Sequence, residues 1–277
     1  MTALTVSQTL IDHVVAAVRL AGQQTLDVYR GEWSIEVKAD GNPVTEADRV
    51  SHATLEHALA AWSPDVPIIS EESELPPFDV RHGWSQFWLI DPLDGTKEFV
   101  AGNGEFTVNV ALIDRGQPVL GVVYAPAFDA MYFAATDLGT WRQQGSAVAE
   151  RVYSNDWSPE RPARVVESRS HPSAELNRFL ATIPVAERIR LGSSLKFCRV
   201  AEGAADLYLR FGPMMEWDAA AGDCVYRCSG RTGPRPSPLR YNQPEFRTPG
   251  FILGCDAFAQ VREITQSDES SRSTRTP

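Results

Sequence analysis

Residues 88–96 read Trp-Leu-Ile-Asp-Pro-Leu-Asp-Gly-Thr, placing two carboxylates, Asp91 and Asp94, at the end of an apolar run. Phe87 to Ile90 has the character of a strand, and Pro92 fixes the backbone between the two acids. Carboxylates crowded this closely repel each other and call for cations. Hard oxygen ligands suit Mg²⁺, which is held by a few carboxylates while phosphate and water complete its shell. Gly95 and Thr96 follow with backbone N–H groups able to cradle a phosphate. The chemistry suggested is a metal-plus-phosphate site at a strand end. The bland alternative is a turn, with Asp accepting backbone hydrogen bonds and Gly supplying positive φ.

Three further acidic clusters bear on that choice. Thr45-Glu-Ala-Asp48 runs from the polar turn at Asn42 into a helix, and its structural reading is an N-cap with a capping-box partner. Ser70-Glu71-Glu72 ends the short apolar run Pro67-Ile-Ile, where paired glutamates either lie in solvent or point into a cleft. Glu216-Trp217-Asp218 opens an alanine-rich helix, with Asp218 as its expected N-cap. Each has an ordinary explanation. All four clusters falling at element ends favours one shared cleft.

The elements that must position these acids follow from periodicity. Helices are predicted over 7–30, with Leu10, Val14, Val18 and Ala21 at helical spacing, and over 46–62. Strands are predicted near 67–70, 86–91, 106–113, 118–125 and 130–135, the Asp114-Arg-Gly-Gln turn joining two of them as a hairpin. The composition turns polar and Pro-bearing from Ser154 to Pro162, which reads as a domain boundary. Beyond it come strands at 163–168, 188–191 and 206–210 and helices at 174–181, 194–203 and 218–228. Residues 229–242 read as a loop or loose hairpin. The tail beyond Gln266 has no apolar residues and is expected to be disordered.

Composition narrows the partners. Of 277 residues, 26 are Lys or Arg and 36 are Asp or Glu, a net charge of −10, which argues against binding nucleic-acid polymers. An acidic protein handling an anionic substrate needs metal ions to invert the local field. The first ten residues lack a charged n-region and a long apolar run, and no window is apolar enough to span a membrane. A cytoplasmic protein is expected, with peripheral association with the inner membrane compatible. The four cysteines show no zinc spacing and read as free thiols, and the five histidines show no ligand spacing.

Taken together, the four acidic segments resemble the inositol monophosphatase superfamily of Mg²⁺-dependent, lithium-sensitive phosphatases. Within it the chain most resembles the bacterial nucleotidases that hydrolyse adenosine 3',5'-bisphosphate in sulfate assimilation. The subgroup resemblance rests on Asp91-Pro-Leu-Asp-Gly-Thr-Lys97-Glu98-Phe99, Gly192-Ser-Ser-Leu-Lys196-Phe-Cys and Ala201-Glu-Gly-Ala-Ala-Asp-Leu-Tyr208-Leu-Arg210. It continues through Phe211-Gly-Pro, Trp217-Asp218 and Leu239-Arg-Tyr-Asn242, and spans about residues 8 to 263. Inositol phosphatases typically carry Asn in place of Glu98.

The resemblance implies an α/β fold, two domains stacked as αβαβα layers, here 1–160 and 161–265 with a tail at 266–277. It implies two or three Mg²⁺ per site: one held by Glu71, Asp91 and the Leu93 carbonyl, and a second held by Asp91, Asp94 and Asp218. One ion would generate the nucleophilic water and the other would stabilise the leaving oxygen. Thr96, oriented by Asp48, would align that water beside Glu71. Leu93, Asp94, Gly95 and Thr96 would surround the phosphate, and Glu72 would brace Glu71. Ser193, Lys196 and Arg210 match positions near the nucleotide. A bisphosphate needs cations for its non-reacting phosphate, which Lys196 and Arg210 would supply; the alternative is a solvent-facing helix residue for Lys196 and a strand-end surface charge for Arg210. Departures concentrate between Gly222 and Leu239 and bear on the nucleoside pocket. The implied activity is removal of the 3'-phosphate from a small-molecule bisphosphate, and a homodimer is compatible. Alternatives are inositol-1-phosphate or fructose-1,6-bisphosphate as substrate, or an inactive regulatory protein on the same fold. Every acidic ligand position is filled, which favours activity.

Overall fold

The computed structural model describes residues 3–34, 36–37, 43–170 and 173–255; Asn42, the end of the second predicted domain and the expected disordered tail lie outside them. In chain order the elements are α1 (Gln8–Arg30), β1 (Glu36–Val37), β2 (Pro43–Val44), α2 (Glu46–Trp62), β3 (Ile68–Ser70), α3 (Phe78–Arg81), β4 (Gln86–Asp94) and α4 (Thr96–Val100). Then follow β5 (Thr107–Asp114), β6 (Gln117–Ala125), β7 (Ala130–Ala135), β8 (Gly139–Gln144) and β9 (Glu150–Arg151). The remainder comprises β10 (Ala163–Ser168), α5 (Ala174–Leu180), β11 (Val185–Leu191), α6 (Leu195–Ala201), β12 (Leu207–Arg210), β13 (Met214–Met215), α7 (Glu216–Arg227), β14 (Arg247–Thr248) and β15 (Phe251–Leu253).

Five layers result. Strands β3-β4-β5-β6-β7-β8-β9 form one sheet and β11-β10-β12-β15 another. Alternation along β4 sends Trp88 and Ile90 to one face, where they pack with Leu10, Val14 and Val18 of α1 and Leu55 and Leu59 of α2. Phe87 and Leu89 point to the other face, into a core shared with Phe197 of α6, Ala220 and Cys224 of α7, and Val166, Tyr208 and Phe251 of the second sheet. The far face of that sheet buries Val165, Leu207 and Ile252 under Leu176 and Phe179 of α5. The order is αβαβα, as the resemblance implied. Helix α7, from the second half of the chain, packs on β4, β5 and β6 of the first.

Local chemistry explains the helix starts. Ser7 Oγ accepts from Leu10 N to cap α1, and Thr45 and Asp48 close a complete capping box on α2. The 114–117 turn is a hairpin with Arg115 and Gly116 at positive φ. Strands β1, β2, β8, β9, β13, β14 and β15 and the short helices α3 and α4 are not among the predicted elements. Strand β8 carries Arg142, Gln143 and Gln144, half-exposed or exposed near the sheet's edge, so it lacks the alternation that marks a strand in sequence. The 229–242 segment forms no strand.

Candidate active site

The carboxylates meet because two parallel strands end together. Strands β3 and β4 pair with Ser70 opposite Ile90, so the next residues, Glu71 and Asp91, emerge side by side, and Glu71 N donates to Ile90 O (3.3 Å). Past Asp91 the ladder with β5 slips: Asp91 pairs with Asn109 but Asp94 with Thr107, three steps on one strand against two on the other. This bulge at Pro92-Leu93 re-aims the strand end. Helix α7 brings the fourth acid. One carboxylate oxygen from each of Glu71, Asp91 and Asp218 lies within 4.8 Å of the other two. Asp94 stands outside that triad, its Oδ2 accepting from Ser194 N (2.6 Å) and Asn109 Nδ2 (3.5 Å).

Electrostatics mark the same residues. Burial, and then the charges of Glu71, Asp94 and Asp218, push the Asp91 carboxyl well above the usual range. Burial, Asp94 and Glu71 do the same to Asp218. Asp91 Oδ1 accepts from Leu93 N (3.1 Å), while its buried Oδ2 has no hydrogen-bond partner among the described residues. An orphaned carboxylate oxygen facing other carboxylates in an all-oxygen set suits a hard divalent cation.

Asp218 is not the N-cap expected from sequence. Helix α7 starts at Glu216 with Met215 as its cap, which places Asp218 in the first turn, accepting from the Met215 backbone. The cause is remote: Met214 and Met215 pair with Thr248 and Arg247, so an extended segment runs directly into the helix.

Asp48 accepts from Thr45 N (2.6 Å) and Thr45 Oγ1 (2.8 Å). One helical turn on, Ser51 Oγ donates to Pro92 O (2.7 Å), docking α2 on the Asp-Pro-Leu-Asp loop. Thr96 Oγ1 reaches back to Leu93 O at 3.5 Å. Gly95 sits at φ 90°, and a Cβ there would lie 3.1 Å from Glu105 O and 3.2 Å from Ser193 Cβ, so only glycine fits.

The substrate-side residues gather beside the acids. Lys196 is not solvent-facing. It is buried, its Nζ donating to Ser193 O and more weakly to Leu191 O (3.4 Å). Burial lowers its pKa, against the upward pull of Asp94. Arg210, half-buried, donates to Pro213 O (3.0 Å), and its charge bears on both Lys196 and Asp218. Ser193 adopts φ 46°, and its buried Oγ has no hydrogen-bond partner among the described residues. Glu98 is buried and accepts from Ser170 Oγ. Glu72 N donates to Ser70 Oγ (3.3 Å).

Sequence reasoning missed Asn109 and Ser194, which hold Asp94, and the pair Glu105–Arg169 beside Gly192. The available signal was Thr107 and Asn109, polar residues interrupting an otherwise apolar strand. In the departing 229–242 segment, Arg235 turns to Ser154 Oγ (2.7 Å), Asn155 O (2.6 Å) and Asp156 (2.6 Å).

Comparison with known proteins bears on this geometry. The model of the inositol monophosphatase family matches residues 7–245. The 3'(2'),5'-bisphosphate nucleotidase CysQ of Escherichia coli strain K12 is 46% identical over 247 residues, covering 87% of this chain and 98% of that protein. The protein of that name from Haemophilus influenzae is 34% identical over 270 residues, covering 95% and 99%. The crystal structure of CysQ from Bacteroides thetaiotaomicron, a bacterial member of the inositol monophosphatase family, superposes with a TM-score of 0.71 at 35% identity, over 89% of this chain and 97% of that one. With carboxylates clustered at the end of β4, the five-layer fold and these matches in agreement, the chain belongs to the inositol monophosphatase family.

Proposed function

We propose that the chain is a Mg²⁺-dependent phosphatase that removes the 3'-phosphate of adenosine 3',5'-bisphosphate, yielding AMP and phosphate, and that it serves sulfur assimilation in the cytoplasm. The observation that carries this reading is the convergence of Glu71, Asp91 and Asp218 within 4.8 Å, next to the buried Lys196 and the half-buried Arg210. The 46% identity to a bisphosphate nucleotidase supports the choice of substrate.

Glu71, Asp91 and the Leu93 carbonyl would hold one cation, and Asp91, Asp94 and Asp218 another. When bound, Mg²⁺ supplies Lewis-acid polarisation of the phosphate and a water acidified toward neutral pH. The chain's own contribution is placement. Gly95 lets the backbone approach the phosphate, and Thr96 with Asp48 orients the attacking water. No histidine base is required. Ser193 Oγ, Lys196 and Arg210 receive the non-reacting phosphate and the nucleoside. Binding there orients the reacting phosphate at a distance. Two units, 1–160 and 161–265, meet at the site: the first brings Glu71, Asp91 and Asp94, the second Ser193, Lys196, Arg210 and Asp218.

A kinetic panel tests the reading. Adenosine 3',5'-bisphosphate, inositol-1-phosphate and fructose-1,6-bisphosphate are compared at equal Mg²⁺, with and without Li⁺. The expected result is the highest kcat/KM for the nucleotide, cleavage at the 3' position and inhibition by Li⁺. A preference for inositol-1-phosphate would overturn the nucleotidase assignment, and turnover unaffected by EDTA would overturn the metal chemistry.

A further inference from the structure

Beyond the carboxylate cluster, a second charged group joins the two halves of the chain. Glu105 follows the Gly95–Thr96 segment and precedes β5; its carboxylate is buried. Its Oε1 accepts from Arg169 Nη2 (2.6 Å), and its Oε2 accepts from Arg169 Nε (2.7 Å) and from Gly192 N (2.7 Å). Arg169, just beyond β10, also donates through Nη2 to Arg190 O (2.8 Å) and through its backbone N to Leu191 O (3.1 Å). Gly192 opens the turn that follows β11, and Arg190 and Leu191 are the last two residues of that strand, so the pair grips the point where strand becomes turn.

That turn needs holding. A Cβ on Gly192 would lie 2.5 Å from Glu98 Cγ and 2.7 Å from Glu105 O, so the backbone is pressed directly against both acids. Ser193 then takes φ 46°, a left-handed conformation that a serine keeps only where its surroundings over-determine it. Its Oγ is buried without a hydrogen-bond partner among the described residues. Ser194 N is bound to Asp94, and Lys196 Nζ is bound to the carbonyl of Ser193. The turn is therefore tied to Glu105 at one end and to the acidic site at the other, with the buried Ser193 hydroxyl between them.

We propose that Glu105 and Arg169 are positioning residues: their ion pair holds the Gly192–Ser194 turn so that Ser193 Oγ and Lys196 meet the non-reacting end of a bisphosphate. They thereby set selectivity for bisphosphates over simple phosphate monoesters. This rests on the nucleotidase reading above. Arg169 is 42% exposed at its side chain but Glu105 only 10%, so the pair also contributes to folding, since losing the arginine leaves a buried carboxylate short of a partner. What it adds beyond stability is the direction in which the turn faces.

The test uses the full chain with Mg²⁺ and two substrates, adenosine 3',5'-bisphosphate and para-nitrophenyl phosphate, for wild type, Arg169→Gln, Arg169→Lys and Glu105→Gln. Arg169→Gln should raise KM for the bisphosphate roughly tenfold with kcat within about threefold, and leave kcat/KM for the monoester within about twofold, since one lost charge-assisted contact to substrate is of that order. Arg169→Lys should recover part of the loss, because a lysine can still pair with Glu105 but cannot fork it. Glu105→Gln combined with Arg169→Gln should be no worse than either alone, as for residues acting through one contact. Equal losses on both substrates, or an unchanged bisphosphate KM in Arg169→Gln, would overturn the proposal while leaving the nucleotidase reading intact. A wild-type enzyme without preference for the bisphosphate would overturn both, and shows before any variant is compared.

Discussion

On the four-stranded sheet, Glu167 is buried between Arg188 and Arg190, and Asp206 accepts from Arg164 and Asn155. At the end of β4, by contrast, Asp91 faces Glu71, Asp94 and Asp218. The two regions treat the same functional group oppositely. Burial raises the pKa of Glu167 and Asp206, but their hydrogen bonds to arginine outweigh it and hold both below the ordinary value. At Asp91 burial and neighbouring charge push the same way, upward. Carboxylates that serve the fold are neutralised by the chain itself. Carboxylates left to repel each other have been kept for a cation that comes from outside.

Exchanging one member of the repelling set should give the largest effect. Asp91→Asn should reduce turnover by on the order of a thousandfold or more, since even an outer-sphere partner of a metal ligand is worth about 10–100-fold. The same variant should melt higher than wild type in EDTA, because it removes a buried charge that repels Glu71, Asp94 and Asp218. A variant that melts lower in EDTA would break the contrast between the two regions.

Next in size is the metal itself. At a hundred times its Kd, Mg²⁺ should stabilise wild type by about 2.7 kcal/mol, read as a rise in Tm on titration. Asp91→Asn should show a much smaller rise. Arg164→Met should behave the other way round. It strands Asp206 in a largely buried position and should cost about 2 kcal/mol in chemical denaturation. The Mg²⁺-dependent stabilisation should survive intact; its loss would mean that the two regions are coupled.

The smallest effect is the pH profile of the metal-free protein. A carboxyl with a raised folded pKa contributes stability at low pH and loses it as pH climbs through the folded value. Glu216, raised by burial to about 7, belongs to this group with Asp91 and Asp218. Glu167 and Asp206, depressed from 4.5 and 3.8, contribute above those ordinary values and lose the contribution as pH falls through the depressed ones. Stability in EDTA should therefore peak on the acid side of neutrality and drop by on the order of 1 kcal/mol toward pH 8. A profile that rises steadily to pH 8 would mean that the repulsion at β4 is already screened without metal.

Local signals were legible in sequence and remote ones were not. The α2 boundaries, Glu46 to Trp62, could be read because Thr45 and Asp48 cap the helix through neighbours in the chain. The Asp91–Thr96 run announced itself through a strand ending in acids, a proline and a glycine within six residues. Lys196 looked like a surface lysine because nothing near it in sequence shows that its helix lies between two sheets. The bond from Glu105 to Arg169 crosses 64 residues, and the one from Ser194 to Asp94 crosses 100, so no window could contain either. What a chain segment does for itself can be read; what it does for a distant segment needs the fold.

The bulge at Pro92-Leu93 makes the site depend on a count as well as on side chains. In an unbroken strand, residues three apart point to opposite faces, because the side-chain period is two. Asp91 continues the face of Phe87 and Leu89, toward α7, and an unbulged Asp94 would follow Trp88 and Ile90 toward α1 and α2. The one extra residue returns Asp94 to the side of Asp91, where Ser194 N meets it. Adding one residue between Asp91 and Asp94 would thus turn Asp94 to the opposite face and dismantle the acidic cluster without removing one of its acids. Relatives of this chain should tolerate many substitutions between Asp91 and Asp94 more readily than any change in how many residues separate them.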